Sequence, residues 1–328
     1  MQLRLYTCWF AVGIVSCCLL TANPVRAQQV SADGTTSTSV TSPDGSNFTI
    51  KDGDRSGDNL FHSFSEFSVP TEGSALFDND LDVKNIISRV TGGKISNIDG
   101  LLGAKGSANL FLLNPSGIIF GANASLNIGG SFISSTANSL KFADGTEFSA
   151  LAASSPPLLT VSVPVGLQYG ANAAGINVQN SNLAVQPEQT LALVGGNITL
   201  AGGNLTAPSG RIDLGAVAGA GNVQIANVNN QLQLSFPDDI QKADVAIIDA
   251  ANVSASGNGG GDLQLTGRQI KVERSRLEAN TFGSEPGGNF NVNASESVEL
   301  IGNEPGELFD NGLFAETIAL INWVRTLL

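Results

Sequence analysis

Few residues in this chain could do chemistry, and most of them are carboxylates. The run Asp52-Gly53-Asp54-Arg55-Ser56-Gly57-Asp58 places oxygen donors at the first, third, fifth and seventh positions and Gly at the sixth, as a calcium loop begins. Such a loop also needs flanking helices and a bidentate Glu at the twelfth position, where Ser63 stands. The run therefore reads as a turn ahead of a strand. Asp78-Asn79-Asp80 with Asp82 could hold calcium or supply paired acids for glycoside hydrolysis, but it lies in a Gly-poor connecting segment and reads as a solvated loop. Asp238-Asp239 follows Pro237 and reads as a turn or start signal. His62, the single histidine, is embedded in a Phe-rich stretch, so neither a Ser–His–Asp constellation nor a zinc site can be built on it. A packed, hydrogen-bonded structural role is expected for it. No Walker or dinucleotide motif occurs, and the Asn-x-Ser/Thr triplets follow from composition. The expectation is no catalytic residue, no cofactor and no metal.

Composition narrows the class further. The chain has 328 residues with 38 Gly, 14% charged residues and 6% aromatics, which suits many short strands rather than long helices. Its formal charge is −13, so it lacks the basic surface that a nucleic-acid partner requires. Residues 1–27 read as an export leader: Arg4 opens it, Trp9 to Leu20 form an apolar run, and Val25-Arg26-Ala27 precede a cleavage point. Ile14-Val15-Ser16-Cys17 loosely resembles a lipobox, but the apolar run continues past Cys17. Cys8, Cys17 and Cys18 all fall inside the leader, so the exported chain has no thiol and must rely on packing and backbone hydrogen bonds.

The elements that must position any site are strands. Residues 28–50 suit edge strands or a capping hairpin, and Asn59 to Pro70 concentrates aromatics, with Phe61, Phe64 and Phe67 expected to plug one end of the fold. Strands are implied by Val83–Val90 and Lys94–Ile98. From Ala108 to Phe142, short apolar runs (Leu110–Leu113, Ile118–Phe120, Phe132–Ile133) alternate with turn residues. Asn114-Pro115-Ser116-Gly117 fits a type I turn, with Asn capping, Pro presetting φ and Gly at the last position. Asp144 to Pro164 is an excursion. Beyond Gly175 the chain repeats: Gly196-Asn197-Ile198-Thr199-Leu200, Gly221-Asn222-Val223-Gln224-Ile225, Gly261-Asp262-Leu263-Gln264-Leu265 and Gly288-Asn289-Phe290-Asn291-Val292 share one pattern. Leu232–Leu234 and Val245–Ile248 read as further units. Units that bury a face only by stacking mean a solenoid, here a parallel β-helix with Asn and Ser ladders at its corners. The tail from Leu313 to Leu328 does not fit and suggests a truncated or shifted end.

Four blocks in order carry a family resemblance: Asn59–Pro70 (NLFHSFSEFSVP), Ile86–Gly92 (IISRVTG), Ala108–Gly121 (ANLFLLNPSGIIFG) and Gly129–Ala137 (GGSFISSTA), followed by Phe142-Ala143-Asp144-Gly145. The chain resembles the two-partner-secretion, or haemagglutination-activity, domain of filamentous-haemagglutinin-type exoproteins, and particularly large exoproteins of cyanobacterial type. Where that family has Asn-Pro-Asn-Gly this chain has Ser116, and where it has Asn-Arg-Val this chain has Ser88; a second Asn-Pro-Asn-Leu motif is absent. The resemblance implies an all-β, right-handed parallel β-helix with an N-terminal cap. It implies recognition in the periplasm by the POTRA domains of a dedicated outer-membrane β-barrel transporter, passage unfolded, and folding at the surface. It also makes Asn114, Pro115, Ser116 and Gly117 the secretion motif, a role that the residues alone do not give. The division expected is 1–27 leader, 28–175 secretion domain with its cap, 176–312 further β-helix repeats, and 313–328 atypical tail. The functional expectation is a secreted or surface-exposed adhesin-like exoprotein, not an enzyme, of a Gram-negative-type bacterium, with a cell-surface or carbohydrate ligand. The alternatives are a β-helical carbohydrate-active enzyme, a polysaccharide lyase or glycoside hydrolase, and an inert filament.

Overall fold

Alternate residues of a strand point to opposite sides, so a chain of short strands can stack one side into a column and present the other outward. The computed structural model describes residues 29–151, 156–228, 231–302 and 311–318. The leader lies outside them, as does the tail from residue 319. Among the described residues there is no helix. The chain forms a right-handed parallel β-helix whose strands build three faces. One coil shows the plan, with Asn109–Leu113 on the first face, Ile118–Phe120 on the second and Ser125–Asn127 on the third. Each strand pairs in parallel with its equivalents one coil before and after.

The interior is a set of apolar columns. On the first face Leu60, Ile86, Leu110, Phe132, Leu191, Ile212, Leu263 and Phe290 lie in register on successive coils. The first seven are buried in one continuous core, and Phe290 packs against its end. Each such side chain contributes roughly 1.5–3 kcal/mol by leaving water. The N-terminal end is capped by antiparallel pairing. Val30–Ala32 covers the edge of Asn59–Phe67, and Thr38–Thr41 covers that of Asn47–Asp52. This hides strand edges that would otherwise pair with other chains.

Three sequence expectations change. First, the aromatic block plugs the N-terminal end only in part. Phe64 and Phe67 enter the interior core, but Phe61 points outward into a second core. A three-residue spacing on a two-residue period sends Phe61 and Phe64 to opposite sides. Phe67 returns to the inside because the register against the cap strand skips Ser65. Second, Gly221–Val228 and Gln231–Ser235 are not solenoid units. They form an antiparallel sheet outside the helix with Ser139–Phe142, Glu147–Ser149 and Pro164–Tyr169. A Gly followed by alternation specifies a strand but not its partner. Val245–Ile248, by contrast, is a coil strand. Third, the start of the tail belongs to the helix, since Gly312–Phe314 pairs with Arg276–Glu278 on the third face.

The outer sheet explains the second core. It lies over the outward side of the first face and buries Phe61, Ile87, Phe111, Ile133 and Ala192 against Leu140, Phe148, Leu167, Val223 and Leu234. Within the excursion expected at Asp144 to Pro164, Glu147–Ser149 belongs to this layer, which also holds Ser139–Phe142 and Pro164–Tyr169. The expected corner ladder is also present. Asn109 Nδ2 donates to Asn85 Oδ1 at 3.0 Å, and Asn85 Nδ2 donates to Asn59 Oδ1 at 2.9 Å.

Candidate functional site

The Asn-Pro-Ser-Gly turn sits at the corner between the first and second faces, joining Asn109–Leu113 to Ile118–Phe120. Gly117 N donates to Asn114 O at 3.1 Å, closing the turn, and Ser116 N donates to Asn114 Oδ1 at 2.9 Å. The Asn114 side chain is fully buried and its Nδ2 donates down to the previous coil, to Lys94 O at 2.9 Å and Ser96 Oγ at 2.8 Å. Its backbone N donates up to Ser135 O at 2.9 Å. One residue thus ties three coils at a single corner. Gly117 has φ 115°, a conformation that strains any residue with a Cβ. Pro115 and Ser116 are half-buried. The turn bonds to residue 116 through its backbone N–H, which explains why Ser can stand where the resembling family has Asn.

A second cluster lies where the cap, the first coils and the outer sheet meet. Arg89 is 2% exposed and projects from the first face toward the outer sheet. Its Nε donates to Ser63 Oγ at 2.7 Å, Nη1 to Ser149 O at 2.5 Å and Nη2 to Thr35 Oγ1 at 3.0 Å. Its guanidinium lies over the Phe148 ring. Asp33 shares the junction, accepting from Ser63 Oγ at 2.6 Å and Thr91 Oγ1 at 2.7 Å. Burial pushes its pKa upward, but hydrogen bonds from Ser63, Thr35 and Thr91 outweigh burial and hold it below the usual carboxylate value.

The acidic runs singled out in the sequence are distributed, not assembled. Asp78 pairs with Lys51 and Lys105, and Asp80 and Asp82 pair with Arg55. Asp52 and Asp54 flank a turn, where Ser39 Oγ donates to Asp52 Oδ2 at 2.5 Å. Asp238 and Asp239 lie in the connection after the outer hairpin and line an open groove with Lys242 and Arg268. Among the described residues no group of three His, Cys, Asp or Glu side chains could hold a metal ion. Glu188 and Glu285, not singled out in the sequence, line one open groove of about 480 Å³ with Ser209 and Asn258, and no Lys, Arg or His lines it.

Sequence reasoning also passed over a buried ionic group on the outward side of the first face. Arg211 Nε donates to both oxygens of Asp213 at 2.9 Å, Nη1 to Asp262 Oδ2 at 2.8 Å and Nη2 to Gln264 Oε1 at 2.6 Å. Burial raises the Asp213 carboxyl to about 6, and the Arg211 charge opposes the rise. Asp213 also accepts from Leu234 N at 3.2 Å, so it satisfies one backbone N–H on the outer hairpin's free edge. The alternation Arg211-Ile212-Asp213, which puts both charges on one side of a strand, was the available signal.

A family model described as TPS secretion domain matches residues 28–265. No curated protein matches the chain. Among solved structures, the HMW1 secretion domain from Haemophilus influenzae is similar at 17% identity and TM-score 0.51, covering 89% of this chain and 81% of that one. The filamentous hemagglutinin secretion domain is similar at 15% identity and TM-score 0.52, covering 89% of this chain and all of that one (100%). At these identities the structural likeness shows the fold. The family match spans most of the described coils, the cap and the outer sheet, and on that ground the chain belongs to the TPS secretion domain family.

Proposed function

We propose that this chain is a non-enzymatic, adhesin-like exoprotein. Its β-helical domain is recognised in the periplasm by the POTRA domains of a dedicated outer-membrane β-barrel transporter, and it is exported through that barrel to the surface or the medium. There it meets a cell-surface or carbohydrate ligand. The observation that carries this reading is the family match over residues 28–265, which takes in the cap and the Asn-Pro-Ser-Gly turn. Asn114, Pro115, Ser116 and Gly117 are the secretion motif in this reading, and residues 1–27 are the leader that delivers the chain to the periplasm. The lack of cysteine after residue 18 suits passage as an unfolded thread, because a disulfide formed beforehand would block it.

Co-expression with and without the cognate transporter tests the reading, with release to the surface or medium as the readout. Release should require the transporter. Equal release in its absence would overturn the proposal.

A further inference from the structure

Beside its backbone pairing and its hydrogen bonds at Asp33 and Thr35, the cap meets the first coil at a buried polar contact made by His62. His62 is 1% exposed, and its Nδ1 lies 3.0 Å from Thr38 Oγ1 on the cap strand Thr38–Thr41. Thr38 Oγ1 in turn lies 2.8 Å from Thr36 Oγ1. The imidazole stacks on Phe64 with centroids 6.1 Å apart and tilts against Phe77 at 5.2 Å. Backbone closes the remaining side: a Cβ on Gly53 would stand 2.7 Å from His62 Cε1. A neutral ring fits this site. An imidazolium would carry a charge into walls of phenyl rings and packed backbone, where it is poorly solvated.

We propose that His62 is an acid-sensitive latch of the cap: protonating its ring releases Val30–Ala32 and Thr38–Thr41 while the coils beyond stay folded. The inference stands apart from the export reading, because it concerns the folded domain alone. Asp52 and Asp54 face the ring and favour the proton, but burial outweighs them and lowers its pKa to about 4. Asp33 and Arg89 are both engaged at Ser63 Oγ. Glu66, on the same strand, pairs with Lys94, and Asp78, beyond Phe77, pairs with Lys51 and Lys105. The direction follows by linkage. In an opened cap the ring regains an ordinary pKa of about 6.5, so the latch is fully closed above that pH and weakens as pH falls toward 4.

Hydrogen exchange on the full folded chain at pH 7.0 and pH 4.5, corrected for intrinsic rates, tests this. Cap amides from residues 30 to 41 should lose protection on the order of 50-fold at pH 4.5, while the strand Thr190–Gly195 changes little. His62→Gln should abolish the difference. Unchanged cap protection overturns the proposal, as does an equal loss in His62→Gln, which would assign the effect to carboxylates. If His62→Gln does not fold, proton NMR of the wild-type chain decides, because its one imidazole is unambiguous. Titration of that ring in step with loss of cap amide signals supports the latch. Titration near pH 6.5 with the cap intact overturns it.

Discussion

The guanidinium carbon of Arg89 lies 4.4 Å from the ring centroid of Phe148, so a cation from the second coil is stacked on a strand of the outer sheet. The same guanidinium reaches the cap at Thr35 and the first coil at Ser63. Arg89→Ala should therefore loosen three parts of the fold at once and cost about 3 kcal/mol. Arg89→Lys keeps the charge but loses the fork, so it should fall between the two. Urea midpoints of the three proteins check this, and equal midpoints would refute the junction role.

Asn114→Ala removes the side-chain donors to Lys94 O and Ser96 Oγ and the acceptor for Ser116 N. Leaving such buried groups unpaired should cost about 1–3 kcal/mol. Ser116→Asn, which keeps the backbone bond, should change stability by less than about 0.5 kcal/mol. Release in a transporter-dependent assay should drop for Asn114→Ala and stay at wild-type level for Ser116→Asn. The reverse ranking would detach export from the turn.

Gly129→Ala would set a Cβ 2.0 Å from Gly106 O, and backbone cannot yield as a side-chain tip can. The expected loss is about 3 kcal/mol. Gly93 has a positive φ of 73° but nothing within 4 Å, so Gly93→Ala should cost only about 1 kcal/mol of strain. Thermal unfolding of the two variants separates close approach from conformation.

Arg211→Met would leave the Asp213 carboxylate buried without its cation. At pH 7 the loss should be about 3–5 kcal/mol. The folded Asp213 pKa, already raised to about 6, lies above an unfolded value of about 3.9, so the native state holds that proton more tightly and this group's contribution falls as pH rises between them. Removing Arg211 raises the folded pKa further. The variant should therefore be less impaired at pH 5 than at pH 7, as denaturant titrations at both values would show. A pH-independent loss would count against the pairing.

Much of the coil was legible because its rule is local. Apolar residues at alternate positions, bounded by Gly and Asn, specify a strand with one buried side, and Asn59, Asn85 and Asn109 form the corner ladder that their type suggests. The turn at Asn114 was equally legible, since Asn, Pro and Gly each act on their own neighbours. What the sequence hid was partnership. Gly221–Val228 has the same local pattern as a coil strand, yet it pairs antiparallel with Pro164–Tyr169. The outward residues Phe61, Ile87 and Phe111 look like interior positions until the sheet that covers them is seen. Arg89 lay inside a recognised block, but its partners at Thr35 and Ser149 are remote in sequence and only the folded chain brings them together.

A stack of coils joined only to nearest neighbours would unravel from its ends, one coil at a time. The outer sheet changes that behaviour. Its strands leave the helix after Phe132–Ser135 and again after Arg211–Ala216, yet they bury residues from Phe61 to Val217 in a single core. Opening any one of those coils disturbs a surface shared by the others, so these coils should melt together as one cooperative block. Among the described residues, the strands Arg276–Glu278 and Gly312–Phe314 lie beyond it with no such splint and are free to fray on their own.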